Sequence, residues 1–116
     1  MIRHIVLTKF RSDVTEETIG KIYRGLSDLT DALPGAGGFT GGRSESPEQI
    51  ERGYKHGFVI DFDDWAALAS YQSNERHKAL GAQLVENTVS GIDGILVLDL
   101  EVQDSETVSA KFRRAD

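Results

Sequence analysis

Alternating hydrophobic and polar positions predict four β-strands in this chain. Residues 2–10 and 54–62 place mostly apolar side chains at every second position and are rich in β-branched or aromatic residues, which is typical of strands. Residues 95–102 alternate in the same way. A shorter edge strand is expected near residues 39–44.

A longer hydrophobic spacing, of three and four residues, predicts helices between these strands. After Thr15, which suits a helix N-terminus, apolar side chains recur at this spacing until Pro34 ends the pattern. Asp63 or Asp64 is expected to cap a second helix, and a third helical segment is expected over residues 75–87.

The resulting order of elements, β-α-β-β-α-β, predicts a ferredoxin-like α+β fold with a four-stranded antiparallel sheet. Helices cover one face of such a sheet, which would leave an apolar second face exposed in a monomer. We therefore expect a homodimer that pairs sheet to sheet. The residues of the expected interface are Ile5, Leu7, Val59, Leu96, Leu98 and Leu100. Residues 1–102 form the predicted domain, and the polar residues 103–116 are interpreted as a mobile tail or a swapped arm.

Charge and composition exclude several classes of protein. The chain of 116 residues has 13 basic and 19 acidic residues, a net charge of −6, which argues against nucleic-acid binding. The absence of cysteine excludes disulfides and thiolate metal sites. No apolar run approaches the ~20 residues of a membrane span, and residues 1–7 do not resemble a signal peptide. We expect a cytoplasmic protein without a membrane partner.

Residues 35–42 contain five glycines and allow two interpretations. The segment can be a flexible loop that leads into the edge strand, or a loop that binds phosphate. A phosphate loop needs a Lys-Ser or Lys-Thr pair and a following helix. Arg43, Ser44 and Pro47 follow here instead, which favours the loop and edge strand.

The three histidines of the chain are candidates for a common site. His4 shares its strand parity with Val6, and His56 lies on the strand expected to be the central neighbour of the first. We expect the two imidazoles to lie side by side, with His77 facing them from the apolar side of its helix. Asp99 can reach the same place. Such a cluster in an apolar pocket is typical of a small-ligand site, although for each histidine alone a half-buried structural role is favoured.

The chemistry that fits this cluster is proton transfer, because an imidazole titrates near neutral pH. A bound carbonyl compound could lose an α-proton to His77 while Tyr71 donates a hydrogen bond to the developing enolate oxygen. Asp99 could then hold one tautomer of a histidine. Three histidines and a carboxylate could instead bind zinc, but the close-spaced ligand pair of such sites is missing and no metal is favoured.

Three segments resemble the stress-responsive A/B barrel (Dabb) family, and the resemblance extends over residues 1–102. They are IRHIVLTKF at 2–10, GYKH at 53–56, and Tyr71 followed by NERH at 74–77. The resemblance implies a dimeric α+β barrel, which agrees with the fold expected from the pattern.

The same resemblance implies a site, by similarity to a plant polyketide cyclase of this family that uses no cofactor. It makes His77 the catalytic histidine and Tyr71 its partner, and it adds His4, His56 and Asp99 as further polar groups of the cavity. Two positions, Leu26 and Leu80, replace aromatic residues, so the size and shape of the ligand stay open. The resemblance also implies an apolar wall for the ligand cavity, and Val6, on the same strand face as His4, is added to it. The predicted wall then comprises Val6, Ile22, Tyr23, Leu26, Phe39, Phe58, Ile60, Leu80 and Val97.

Three functions are compatible with these patterns. The first and favoured one is a homodimeric protein that binds a small apolar or aromatic carbonyl compound without turnover. The second is an enzyme without a cofactor, either a cyclase-like lyase with His77 as the general base or an oxygenase. The third is a structural, stress-associated oligomer.

Overall fold

The computed structural model describes residues 1–103 and forms four strands and three α-helices over that range. The strands are β1 (Ile2–Thr8), β2 (Ala36–Arg43), β3 (His56–Phe62) and β4 (Ile95–Glu101), and the helices are α1 (Glu16–Ala32), α2 (Trp65–Ser73) and α3 (Glu75–Glu86). A short 3-10 helix, Gly91–Gly94, precedes β4. The strands pair antiparallel in the order β2-β3-β1-β4, which confirms the predicted ferredoxin-like α+β fold. The predicted tail lies, from residue 104 onward, outside the described residues.

Each of the three α-helices begins at a side chain that accepts a hydrogen bond from the first turn. Thr15 Oγ1 accepts from the Thr18 amide at 3.1 Å, and Asp64 Oδ1 accepts from the Ala67 amide at 2.8 Å. Asn74 ends α2 and also caps α3, where its Oδ1 accepts from the Arg76 amide at 2.8 Å. These caps satisfy amides that have no partner within the helix. The Asn74 cap also fixes the direction in which α3 leaves α2.

The strand parity decides which side chains face the helices. Ile2, His4, Val6 and Thr8 alternate with half-buried residues along β1 and are themselves buried against the helices. The β3 residues that share this helix-facing side include Phe58, Ile60 and Phe62, and all three are buried as well. Together with apolar residues of α1 and α2 they form the core.

The opposite face of the sheet carries the six apolar residues that the pattern assigned to it. Leu96, Leu98 and Leu100 are exposed, and Leu98 keeps 50% of its accessible surface. Ile5, Leu7 and Val59 of the central strands are half-buried. This face is therefore apolar and is not covered by any described helix, since the helices lie on the other side.

The glycine-rich segment forms β2, which confirms the edge strand and extends it to begin at Ala36. Its pairing with β3 is irregular between Gly37 and Thr40. A side chain at Gly41 would place its Cβ 3.0 Å from the Tyr23 ring and 3.1 Å from Phe58 Cβ. Glycine at this position lets the strand approach α1 closely. The segment is a strand, and the phosphate-loop alternative is not supported.

Trp65 lies outside the core. Its side chain is 52% exposed because it is the first residue of α2, and the buried side of that helix is formed by Leu68 and Tyr71. Within residues 1–103, no helix combines the length and the apolar character needed to cross a membrane.

Candidate functional site

A cavity of about 400 Å³ lies between α3 and the helix-facing side of β1 and β4. Its floor is formed by buried residues, among them His4, Leu26, Phe58 and Tyr71. Its mouth is formed by exposed residues: Gln72, Lys78, Ile92 and Val97. The volume is in the range of pockets that hold small organic molecules.

His77 lies in the first turn of α3 and is half-buried at the side of the cavity. Its Nδ1 lies 3.3 Å from the carbonyl oxygen of Gln72. Because a carbonyl only accepts, Nδ1 carries the hydrogen, and the neutral ring keeps the lone pair on Nε2. Burial lowers the pKa of His77 from its ordinary value of 6.5, and the nearby His4 lowers it further, against the opposing effect of the Gln72 hydrogen bond. The ring is therefore a neutral base near pH 7.

Tyr71 is fully buried and contacts His77, with 4.2 Å between the ring centroids. Its hydroxyl has no hydrogen-bond partner among residues 1–103. Burial raises the pKa of Tyr71, so the hydroxyl stays protonated and keeps its ability to donate. A buried donor without a partner is costly unless a ligand or water satisfies it. Tyr71 is thus the group that a ligand oxygen in the cavity would satisfy.

His4 forms a short hydrogen bond to Asp99. Its Nδ1 lies 2.6 Å from Asp99 Oδ1, across the pair of residues that face each other in β1 and β4. The carboxylate accepts, so the His4 Nδ1 carries a hydrogen. The predicted reach of Asp99 to a histidine is confirmed. The His4 ring lies edge-on to Tyr71 at 5.7 Å, so His4, Asp99, Tyr71 and His77 form one cluster.

His56 does not join this cluster, and the expected side-by-side placement with His4 is wrong. The antiparallel register sets His56 opposite Thr8, whereas His4 lies opposite Ile60. The two histidines are separated by four positions, roughly 13 Å along the sheet. His56 instead places its Nε2 2.9 Å from Glu16 Oε1 and lines a different hollow, of about 410 Å³.

Only part of the predicted apolar wall lines the cavity. Val6, Leu26, Phe58 and Val97 line the cavity, as expected. The other five predicted wall residues do not line it. Ile22 and Ile60 are in the core, Tyr23 of α1 and Phe39 of β2 pack on Phe58, and Leu80 lies against Gly25 of α1.

Several cavity residues were missed by the pattern. Gln72, Lys78, Val85, Ile92 and Ile95 were not predicted, and neither were Gly81 and Leu84 as lining residues. One signal was available in the sequence. Gly81 and Leu84 follow His77 by four and seven positions, the spacing that brings side chains to one face of a helix. In the described part of the chain, no three His, Cys, Asp or Glu side chains are grouped so that they could hold a metal ion.

Comparisons with known proteins cover nearly the whole described chain. The family model of the stress responsive A/B barrel domain matches residues 2–102. A stress-response A/B barrel domain-containing protein of Arabidopsis thaliana, HS1, is 26% identical over 98 residues, which are 84% of this chain and 86% of that protein.

Solved structures give the same fold. A dimeric ferredoxin-like protein of unknown function from Jannaschia sp. CCS1 is 35% identical, with a TM-score of 0.81 over 87% of this chain and 98% of that one. A hydroxynitrile lyase from Passiflora edulis is 18% identical, with a TM-score of 0.77 over 90% of this chain and 94% of that one, a likeness of fold alone.

Proposed function

Because the chain belongs to the stress responsive A/B barrel domain family, we propose that it is a homodimer that binds a small, largely apolar carbonyl compound in the cavity between α3 and the sheet. The observation that carries this proposal is the Tyr71 hydroxyl, buried without a partner among the described residues and adjacent to the half-buried His77. A donor of this kind fits a carbonyl oxygen.

The apolar part of the cavity supplies most of the binding free energy in this proposal. Val6, Leu26, Phe58 and Leu84 are buried residues that line it. Transfer of an apolar ligand from water to such a lining is favourable by roughly 25 cal/mol per Å² of apolar surface. The polar contact with Tyr71 fixes orientation, because only a ligand that can accept its hydrogen bond removes the cost of the unsatisfied hydroxyl.

The proposed homodimer forms through the open face of the sheet. Leu98 lies near the centre of β4 on that face, and its neighbours there are Leu96, Leu100 and the half-buried Ile5 opposite it on β1. Two copies related by a twofold axis would bury these leucines against each other. Leu98→Asp places a charge in that contact, so the variant should elute as a folded monomer in size-exclusion chromatography with light scattering. Ala66→Asp, exposed in the first turn of α2 on the helix side of the sheet, is a control with the same charge change and should stay dimeric.

The binding proposal is tested by filling the cavity. Gly81 lines the cavity, and a Cβ built there meets nothing within 4 Å, so Gly81→Leu can occupy the hollow without moving its walls. We expect benzylacetone, a methyl ketone that carries a phenyl group, to cause saturable changes in the NMR chemical shifts of the unmodified protein. It should cause no such changes in Gly81→Leu. The variant should unfold at the same or a higher temperature, because leucine is a better helix former than glycine.

The matched control is Gly20→Leu, on α1. Its Cβ would contact only the flexible end of Arg24, and Gly20 does not line the cavity. This variant should keep benzylacetone binding. Equal binding by both variants, or the failure of the unmodified protein to bind small ketones at all, would contradict the proposal and leave the structural oligomer as the better interpretation.

A second candidate function, acid–base catalysis without a cofactor, is favoured by one observation. The Nδ1 of His77 faces the Gln72 carbonyl, which leaves Nε2 as an acceptor on a ring that burial keeps neutral. In this mechanism the α-proton of a bound carbonyl compound moves to His77 Nε2, and Tyr71 donates to the enolate oxygen. Bond formation or cleavage at the α-carbon follows, and His77 returns the proton.

Deuterium exchange tests this second candidate directly. The α-protons of benzylacetone should exchange with deuterated water faster in the presence of the protein. His77→Gln should lower the added rate by about two to four powers of ten. His56→Gln, which lies outside the cluster, should leave the rate unchanged. If all three proteins give the same rate, the cavity binds its ligand without acting on it.

A further inference from the structure

We propose that the ligand of this cavity is a carboxylic acid, and that Lys78 at the cavity mouth binds its carboxylate. This inference rests on the proposed function and specifies its ligand class. The ligand would have three parts: an oxygen that reaches Tyr71 and His77, an apolar body, and a carboxylate that remains near the solvent. Lys78 would be a specificity-determining residue, which selects acids over neutral compounds of the same shape.

The first support is the position of Lys78. It follows His77 on α3 and lines the same cavity, but its side chain is exposed, whereas the floor residues are buried. Among the described residues that line the cavity, Lys78 is the only one with a permanent charge. A ligand that fills the cavity from floor to mouth therefore ends next to an ammonium group.

The second support is that the ammonium of Lys78 remains available. Its recorded ion-pair partner is Glu75, with 3.5 Å between Nζ and Oε1. Both side chains are largely exposed, and such a surface pair between residues three apart on a helix is weak. The acidic residue nearest the cavity floor, Asp99, is already bound to His4. A ligand carboxylate therefore competes with water and with an exposed Glu75 rather than with a buried partner.

The third support comes from the floor and from the net charge. The floor offers an uncharged phenol, an imidazole that is already bound to Asp99, and apolar side chains. A carboxylate placed there would therefore lose its hydration without gaining a free counter-ion. The protein as a whole has a net charge of −6 and repels anions at a distance. Selection of an acid therefore requires a local cation at a hydrated position, and Lys78 at the mouth meets both conditions.

The experiment compares an acid with its neutral analogue. The acid 3-(4-acetylphenyl)propanoate and its primary amide share the ketone oxygen and the apolar body and have nearly the same shape. Their dissociation constants are measured by NMR titration. The unmodified protein should bind the acid about three- to fivefold more tightly, the size expected for one exposed ion pair. Raising the salt concentration should reduce this preference, because salt screens exposed charges.

Variants assign the preference to Lys78. Lys78→Met should bind the acid and the amide equally, with the affinity for the amide unchanged, and Lys78→Arg should keep the preference. Lys21→Met is the matched control, since it removes the same charge from an exposed lysine of α1 that does not line the cavity. It should keep the preference for the acid.

The outcomes separate the two proposals. If the unmodified protein binds neither probe, the proposed cavity function fails and this inference fails with it. If it binds both probes equally, or if the preference for the acid survives in Lys78→Met, the cavity function stands and the assignment of Lys78 is wrong. Loss of the preference in both Lys78→Met and Lys21→Met would indicate a general charge effect and would also overturn the assignment.

Discussion

The two ends of the helix–sheet layer each pair a histidine with a carboxylate, yet only one end has the character of a site. At the first end, which we call the cavity end, His4 and Asp99 lie beside Tyr71 and His77. The His4 side chain is 6% exposed and that of Asp99 24%. The pair is adjacent to an apolar hollow and to a donor that has no partner in the described chain.

The second end, the α1 end, consists of His56, Glu16 and Arg43. The His56 side chain is 11% exposed, but its partner Glu16 is 58% exposed and also lies 3.6 Å from Arg43. Water and a second cation therefore share the charge of this carboxylate. The comparison teaches that a histidine–carboxylate pair marks a site through its surroundings, which are the burial of the acid and an unsatisfied neighbour, rather than through the pair itself.

The boundary between the two ends is Phe58, and its removal should have the largest effect. Phe58 is buried, stacks on Phe39 at 5.4 Å and lies between the positions of Ile60 and His56 on the same face of β3. Phe58→Ala should lower the free energy of unfolding by about 3–5 kcal/mol and should enlarge the cavity toward the α1 end. Urea unfolding measures the first effect, and binding of ketones larger than benzylacetone measures the second.

Phe39→Ala is the control for this prediction. Phe39 is only half-buried on the edge strand and does not line the cavity, so its loss should cost clearly less stability and leave the size selection unchanged. If the two variants lose the same stability and accept the same ketones, Phe58 does not separate the ends.

Removal of the carboxylate from each histidine–carboxylate pair should show the difference in burial between the two ends. Asp99→Ala leaves the buried His4 Nδ1 hydrogen without a partner, so it should lower the free energy of unfolding by about 2 kcal/mol. Glu16→Ala removes a largely exposed partner, and its cost should stay below about 1 kcal/mol. Chemical denaturation of the two variants at neutral pH checks the order. A larger loss in Glu16→Ala would reverse our view of which pair is desolvated.

The two unpartnered tyrosine hydroxyls allow a finer comparison. Tyr23 and Tyr71 both bury a hydroxyl without a partner among the described residues, but only Tyr71 lines the cavity. Conversion of either to phenylalanine should leave stability unchanged or raise it by up to about 1 kcal/mol, because an unsatisfied group is removed. Benzylacetone should bind about three- to tenfold more weakly to Tyr71→Phe only. Equal affinities of the two variants would exclude Tyr71 as the ligand donor.

The smallest effect concerns pH. Burial lowers the pKa of His77 in the folded protein below its unfolded value of 6.5, so the unfolded chain binds more protons as the pH falls. The protein should therefore lose stability below about pH 6.5, the unfolded pKa, until the pH falls through the folded pKa. In His77→Gln this part of the loss should be absent, whereas His56→Gln should retain it. Free energies of unfolding measured from about pH 5 to about pH 7.5, the range in which histidine titrates, check this prediction.

Local patterns were sufficient to predict the faces of the sheet and the ends of the helices. Strand parity is a property of neighbouring residues, so the alternation in β4 correctly separates Leu96 and Leu98 from Val97 whatever the neighbouring strand is. The caps at Thr15 and Asp64 likewise depend on contacts within a few residues. These features do not depend on how far one strand slides along another.

The position of one strand along its neighbour could not be predicted from these local patterns. Any even shift of β3 against β1 preserves the parity, so the alternation alone does not distinguish His56 opposite His4 from His56 opposite Thr8. The cavity depends on the same long-range information. Gly81 and Lys78 line it because of where α3 packs against the sheet. The family resemblance implied Leu80 instead, which packs against Gly25.

The alternation of β4 has an evolutionary consequence. Successive side chains of this strand serve the ligand cavity and the face proposed for self-association in turn, with Val97 on one side and its two leucine neighbours on the other. Loss or gain of a single codon within β4 would exchange its two faces, since a shift by one residue moves every side chain to the opposite face of the sheet. Homologues should therefore tolerate point changes in β4 far more readily than changes in its length.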